Sequence, residues 1–315
     1  MTAHSQLSSP QILSILAPYG ITELNSYTLL SGGSENSNYL INSLDSKYVL
    51  TICEQKSLQK SRQLAALLNY LAAQQFHTST LVKNLAGQDI SLYNGKAVIL
   101  KNFIEGSILN AIDAPLLFSL GAQLATLHSL KAPDYLPKNV SYNYSNFSQV
   151  RAYAANSNFY AWLVNTSQYI QSYISQDLPK SIIHSDIFTD NIIVSQDKQS
   201  AIIMDFEEAC FYYRVFDIGM MIVGTCCDNG QLSLTKARSL IRGYQQNVIL
   251  NDLERSALQA FTVYGATATA FWRHQNYQHI NPEPSMFEHY LAMKNIAEQV
   301  LAIAKDQFVT EIFSP

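Results

Sequence analysis

Between residues 184 and 207 the chain gathers side chains whose types and spacing could act together. His184-Ser185-Asp186-Ile187-Phe188-Thr189-Asp190-Asn191 runs into the apolar Ile192-Ile193-Val194, and a second apolar run, Ala201 to Met204, ends in Asp205-Phe206-Glu207. Taken singly, each Asp reads as a helix cap or a solvated turn residue. Taken jointly, they are carboxylates placed where buried runs give way to polar clusters, a setting that favours chemistry over chance exposure. Phosphoryl transfer from ATP needs a carboxylate to orient and accept the proton of the attacking hydroxyl, and oxygen ligands to hold Mg²⁺ against the phosphates. An H-x-D-x-x-x-x-N loop followed, after a hairpin, by Asp-Phe supplies both: Asp186 as the base, with Asn191 and Asp205 as metal ligands at the two ends of the hairpin. His184 reads as a packed imidazole bracing this loop.

The elements that must position these groups are legible as periodicities. Residues 38–42 and 47–53 are apolar and β-branched around the turn residues Leu44-Asp45-Ser46, and residues 89–93 and 96–103 flank Asn94-Gly95, so two hairpins are predicted. Between them, Leu64, Leu67, Leu68 and Leu71 form the stripe of a helix over 59–73. Beyond Gly106 the pattern becomes helical. Pro115 opens a helix with Leu at 117, 120, 124 and 127, and further helices are predicted over 153–175 and from Leu234 onward. Residues 131–150, rich in Pro, Asn, Ser and Tyr, read as a surface excursion or lid. The fold class is therefore α+β: a small antiparallel sheet backed by a helix in the first hundred residues, and mostly helices after Gly106.

Composition excludes other classes. Of 315 residues 48% are hydrophobic and 14% charged, so the chain can bury a large core and is not disordered. A net charge of −4 provides no basic field for nucleic acid. No apolar run reaches the length of a membrane span, and Cys53, Cys210, Cys226 and Cys227 form no metal or CxxC spacing, so they read as reduced packing residues. A cytoplasmic protein is expected, with its oligomeric state open.

The segments 31–40 (SGGSENSNYL), 47–54 (KYVLTICE), 182–194 (IIHSDIFTDNIIV), 204–209 (MDFEEA), Phe216-Asp217-Ile218 and Ala270-Phe271-Trp272-Arg273 together resemble the aminoglycoside phosphotransferase and choline kinase superfamily, and within it type II homoserine kinases. That resemblance implies a bilobal protein-kinase-like fold, with an ATP-binding sheet lobe over 1–104 and a mostly helical lobe over 105–315 carrying the catalytic loop and substrate pocket, that phosphorylates a small molecule with ATP and Mg²⁺. It implies Asp186 as catalytic base, Asn191 and Asp205 as magnesium ligands, and Asp217 as the anchor of the catalytic loop. Gly32, Gly33, Ser34 and Asn36 would lie over the ATP phosphates, and adenine would meet backbone groups near Asn102 and Ile104.

Two departures remove positive charge. Thr51 stands where protein kinases place a strand lysine, and Phe188 replaces the lysine that many carry two residues after the base. Lys101, in an otherwise apolar run, is the candidate substitute, although it could equally snorkel to solvent. Asp205-Phe206-Glu207 also lacks the glycine of a flipping segment, which predicts a fixed site. For a zwitterionic acceptor, Glu207 or Glu208 could take the ammonium and Arg214 or Arg273 the carboxylate. The sequence leaves open a choline, ethanolamine or aminoglycoside acceptor, a nucleotide-binding scaffold without efficient catalysis, and an amine-binding module.

Overall fold

The computed structural model describes residues 6–30, 36–44 and 46–314. The chain divides into two compact units: residues 2–106 together with 204–207, and residues 107–203 together with 208–315. The division falls just past the expected 104/105 boundary. The Asp-Phe-Glu segment groups with the sheet unit, which a single cut along the sequence does not anticipate.

The sheet unit opens with helix α1 (Ser9–Leu16) and builds an antiparallel sheet from β1 (Ser26–Leu29), β2 (Asn36–Asn42), β3 (Lys47–Cys53), β4 (Ser91–Tyr93) and β5 (Lys96–Asn102), in the order β1-β2-β3-β5-β4. Alternation along the strands gives the sheet two apolar faces. Tyr39, Ile41, Leu50, Ile52, Val98 and Leu100 pack with Ile12, Ile15 and Leu16 of α1. On the other face Cys53, Ala97 and Ile99 meet Leu58 and Leu64 of α2 (Leu58–Ala73). Ser57 caps α2 by accepting from the Lys60 N–H. The β4–β5 turn is made by Asn94 (φ 49°) and Gly95 (φ 78°), both left-handed as a two-residue hairpin turn requires.

The second unit is mostly helical. Its helices are α3 (Ala114–Ser129), α4 (Arg151–Ala154), α5 (Asn158–Gln171), α6 (Arg214–Thr225), α7 (Leu234–Tyr244), α8 (Asp252–Gln275), α9 (Tyr290–Ala302) and α10 (Lys305–Phe313). Among them run three antiparallel pairs: β6 (Lys180–Ile183) with β9 (Cys210–Tyr213), β7 (Ile192–Val194) with β8 (Ala201–Ile203), and β10 (Cys227–Asp228) with β11 (Gln231–Leu232). The stripe Leu117, Leu120, Leu124 and Leu127 is fully buried, and α3 starts at Asp113, whose side chain accepts from the Leu116 N–H.

Residues 131–150 run over the surface as expected, half of them exposed, and five buried side chains, Leu136, Val140, Tyr142, Phe147 and Val150, anchor the segment to the helical unit. No helix among the described residues is long and apolar enough to cross a membrane.

Candidate active site

The loop that bears Asp186 is held by its backbone. β6 ends at Ile183, and the fully buried Asp217, in the first turn of α6, accepts the next two N–H groups: His184 at 2.8 Å and Ser185 at 2.7 Å. The same carboxylate meets His128 Nε2 at 3.1 Å, while His128 Nδ1 lies 2.9 Å from the Tyr244 hydroxyl. His184 is buried, and its Nδ1 accepts from the Asp186 N–H at 3.2 Å. Ser185 sits in the left-handed region at φ 69°, a conformation a non-glycine residue keeps only when its surroundings over-determine it. Those surroundings include Tyr142, whose hydroxyl donates to the Ser185 carbonyl at 2.6 Å, and the Glu208 carbonyl, which accepts from Ser185 Oγ at 2.9 Å.

The loop then presents Asp186, half-buried, beside Asn191. The Asn191 amide nitrogen donates to the Asp186 carbonyl at 2.8 Å and lies 3.4 Å from Asp186 Oδ2, so the predicted base and metal ligand are brought together. Glu208 belongs to the same neighbourhood. Burial first, then the charges of Asp186 and Glu208, push the Tyr142 phenol well above its usual range. Glu208 Oε2 itself accepts from Ser141 Oγ at 2.6 Å.

Arg273 comes to this loop from the far end of α8. Its guanidinium lies 5.8 Å from the centre of the Phe188 ring, at the position where many protein kinases carry a loop lysine. Desolvation lowers its pKa, opposed by Tyr277, Asp186 and Asp190. Arg214 is placed differently from its expected role at a substrate carboxylate: Nε and Nη2 make a forked pair with the fully buried Glu254 at 2.5 and 2.7 Å, which occupies the guanidinium inside the helical unit.

In the sheet unit, Asp205 is exposed and also left-handed, at φ 67°. Phe206 anchors it by packing edge-on against Phe76 at 5.8 Å. The charges of Glu207, Lys101 and Lys56 all act on its carboxylate. The register pairs Thr51 with Ile99, so Lys101, two residues along the same face, is the diagonal neighbour of the position that lacks its lysine. Thr51 is buried and donates to Asn38 Oδ1 at 2.7 Å. Glu207, expected at a substrate ammonium, is held by Lys56 Nζ at 2.7 Å and Asn36 Nδ2 at 2.6 Å. The Asn102 N–H is taken by the Thr80 carbonyl at 2.9 Å, and Ile104 lies in the irregular stretch after β5. Gly32, Gly33 and Ser34 lie outside the described residues.

Sequence reasoning misses Lys56, Tyr142 and the His128–Tyr244 support of Asp217. Lys56 stands in a polar Glu-Gln-Lys-Ser run that looks solvated, and the partners of Tyr142 and His128 are tens of residues away.

A sequence model of the phosphotransferase enzyme family (APH) matches residues 26–251. The chain belongs to this family. A homoserine kinase of Rhizobium meliloti (strain 1021) is 25% identical over 266 residues, covering 82% of this chain and 81% of that protein. Among solved structures, a microcompartment-associated aminopropanol kinase superposes with a TM-score of 0.73 at 15% identity, over 97% of this chain and 99% of that one. The amicoumacin kinase hAmiN in complex with AMP-PNP, Ca²⁺ and Ami superposes with a TM-score of 0.72 at 17% identity, over 96% of this chain and 97% of that one. This phosphotransferase therefore has the α+β fold of the small-molecule kinases and is a kinase acting on a hydroxyl.

Proposed function

We propose that this phosphotransferase moves the γ-phosphoryl group of ATP onto the hydroxyl of a small amino-acid-like alcohol of the homoserine type. The observation that carries the reading is Arg273, a fixed cation brought onto the loop that bears Asp186. Such a cation suits an acceptor whose hydroxyl goes to the base and whose carboxylate goes to the guanidinium. Glu208, in the same unit, suits the ammonium. The homoserine kinase name of the curated relative supports the same acceptor.

In this reading Asp186 orients the acceptor hydroxyl and takes its proton, and Asp217 holds the loop through the His184 and Ser185 N–H groups so that Asp186 is in place before substrate arrives. Asn191 and Asp205 would hold Mg²⁺, and their chemistry fits it. The Asn191 nitrogen is committed to Asp186, which leaves Oδ1 as a hard oxygen ligand, and Asp205 is a carboxylate short of positive charge. Among the described residues no group of three or more His, Cys, Asp or Glu could hold a metal. That suits an ion which takes one or two protein ligands and completes its shell with phosphate and water. When bound, the ion would offset the charge of the triphosphate. Asn36 would lie beside the phosphates, and backbone groups near Asn102 and Ile104 would serve adenine.

An acceptor panel tests the reading: ATP consumption with homoserine, ethanolamine, choline, 1-amino-2-propanol and an aminoglycoside. Homoserine is expected to have the highest kcat/KM. Arg273→Met should raise its KM at least tenfold while changing little for acceptors without a carboxylate. A higher kcat/KM for ethanolamine or aminopropanol sinks the carboxylate assignment, and nucleotide binding without turnover of any acceptor points to a binding scaffold.

A further inference from the structure

Protein kinases hold the lysine that meets the nucleotide phosphates in an ion pair with a glutamate. Here the strand position is Thr51, and no such pair can form there. The sheet unit nevertheless contains a lysine–glutamate pair close to Asp205. Lys56, three residues beyond β3, sets its ammonium 2.7 Å from Glu207 Oε2, with side-chain exposures of only 9% and 15%. Glu207 is two residues past Asp205, and its other oxygen accepts from Asn36 Nδ2 at 2.6 Å at the start of β2. We propose that Lys56, positioned by Glu207, is a phosphate-binding cation that replaces the missing strand lysine. The proposal rests on the kinase reading above and adds a residue to it.

Two observations support this assignment. A buried ion pair is seldom the most stable filling for its space, since apolar side chains of similar volume usually do as well. A desolvated ammonium retained in a region that must receive a triphosphate has a chemical use there, because a positive charge acts most strongly where water is scarce. The knot is also unfinished. Asn36 is 6% exposed, and its Oδ1 has no hydrogen-bond partner. Buried acceptors left unmatched in this way mark a place where a ligand completes the hydrogen bonding. Lys101 has no carboxylate partner of its own among the described residues, whereas Lys56 has the glutamate that a phosphate-binding lysine needs to stay extended.

The test is nucleotide binding by the full chain, measured by calorimetry with ADP, ATP and adenosine in the presence of magnesium. Lys56→Met should weaken ADP and ATP at least tenfold and leave adenosine within twofold, since only the phosphates lose a partner. Lys56→Arg should restore most of the loss. Glu207→Gln should weaken ADP severalfold in the wild-type background and add nothing in the Lys56→Met background, which a merely structural role would not produce. An unchanged ADP-to-adenosine affinity ratio in Lys56→Met overturns the proposal, and loss of that ratio in Lys101→Met instead assigns the role to Lys101. Should Lys56→Met fail to fold, Glu207→Gln decides: weaker ADP with unchanged adenosine upholds the proposal, and no change overturns it. A wild-type chain that binds ADP no better than adenosine overturns this proposal and the kinase reading together, an outcome distinct from the variant results.

Discussion

Asp186 stands on the loop and Asp217 holds that loop from α6, and their surroundings set the two carboxylates to different work. Asp217 is fully buried and accepts two backbone N–H groups, which commits its lone pairs to geometry. Asp186 is half-buried, its own N–H satisfied by His184, with its carboxylate beside the Asn191 amide. Of the two, only Asp186 has the exposure that the proposed base requires. Asp186→Asn is therefore expected to lower kcat by about 10²–10⁴, the usual worth of a positioned general base, while the Kd for ADP stays within about twofold. Stopped turnover with intact ADP binding is the result to look for, and a wild-type kcat in the Asp186→Asn variant removes this carboxylate from the chemistry. Motif spacing is enough to find Asp186, because the groups of one short loop keep their order in space. Glu207 and Arg214 are harder. Sequence places both beside Glu208 as one acid-and-cation cluster, but consecutive residues after β8 leave in different directions: Glu207 joins Lys56 and Asn36, and Arg214 joins Glu254.

At the scale of elements, the catalytic loop depends on how closely α6 can approach it. A Cβ on Gly224 would lie 2.1 Å from the Ile187 carbonyl oxygen, a backbone atom that cannot swing aside. Gly224→Ala should therefore push the segment between Asp186 and Phe188 away from α6. The expected outcome is a loss of at least tenfold in kcat together with a fall in stability, the overpacking penalty being about 1–3 kcal/mol. Thermal melting combined with turnover at a temperature well below the melting point separates the two effects, and full kcat in the folded variant would show that the loop does not lean on α6. The sequence hides α6 for the same reason. Ten of its residues are buried, so Arg214–Thr225 offers little solvated face, and an apolar run as short as 218–223 cannot be told from a buried strand by pattern alone. α2 and α3, each buried along one stripe, are legible, as is the Asn94-Gly95 hairpin. The β6–β9 pair escapes notice because its strands are four residues each and pair across an intervening hairpin, a contact that no local pattern encodes.

For the molecule as a whole, the low charge content leaves the pH dependence of stability to a small number of buried groups. His274, on α8 beside Arg273, is 3% exposed; its ring stacks on Phe159 at 4.2 Å and lies edge-on to Tyr290 at 4.8 Å, and its Nδ1 is 3.0 Å from the Tyr153 hydroxyl. Desolvation alone brings its pKa down to about 4 from 6.5. Above the unfolded value the imidazole is neutral in both states and folding carries no penalty for it. As the pH falls below about 6.5 the unfolded chain binds the proton first, so stability declines until the folded value is reached near pH 4. His289 is shifted the same way, by desolvation and by the charge of Arg273, and adds to the slope. One group contributes at most about 1.4 kcal/mol per pH unit. Between pH 7.5 and pH 5.0 the wild-type Tm should therefore fall by several degrees more than that of His274→Gln, in which the titrating ring is gone and an amide can still face Tyr153. Parallel Tm curves for the two proteins would show that His274 does not resist protonation in the folded state, and the acid sensitivity would then have to come from groups outside the aromatic cluster at the end of α8.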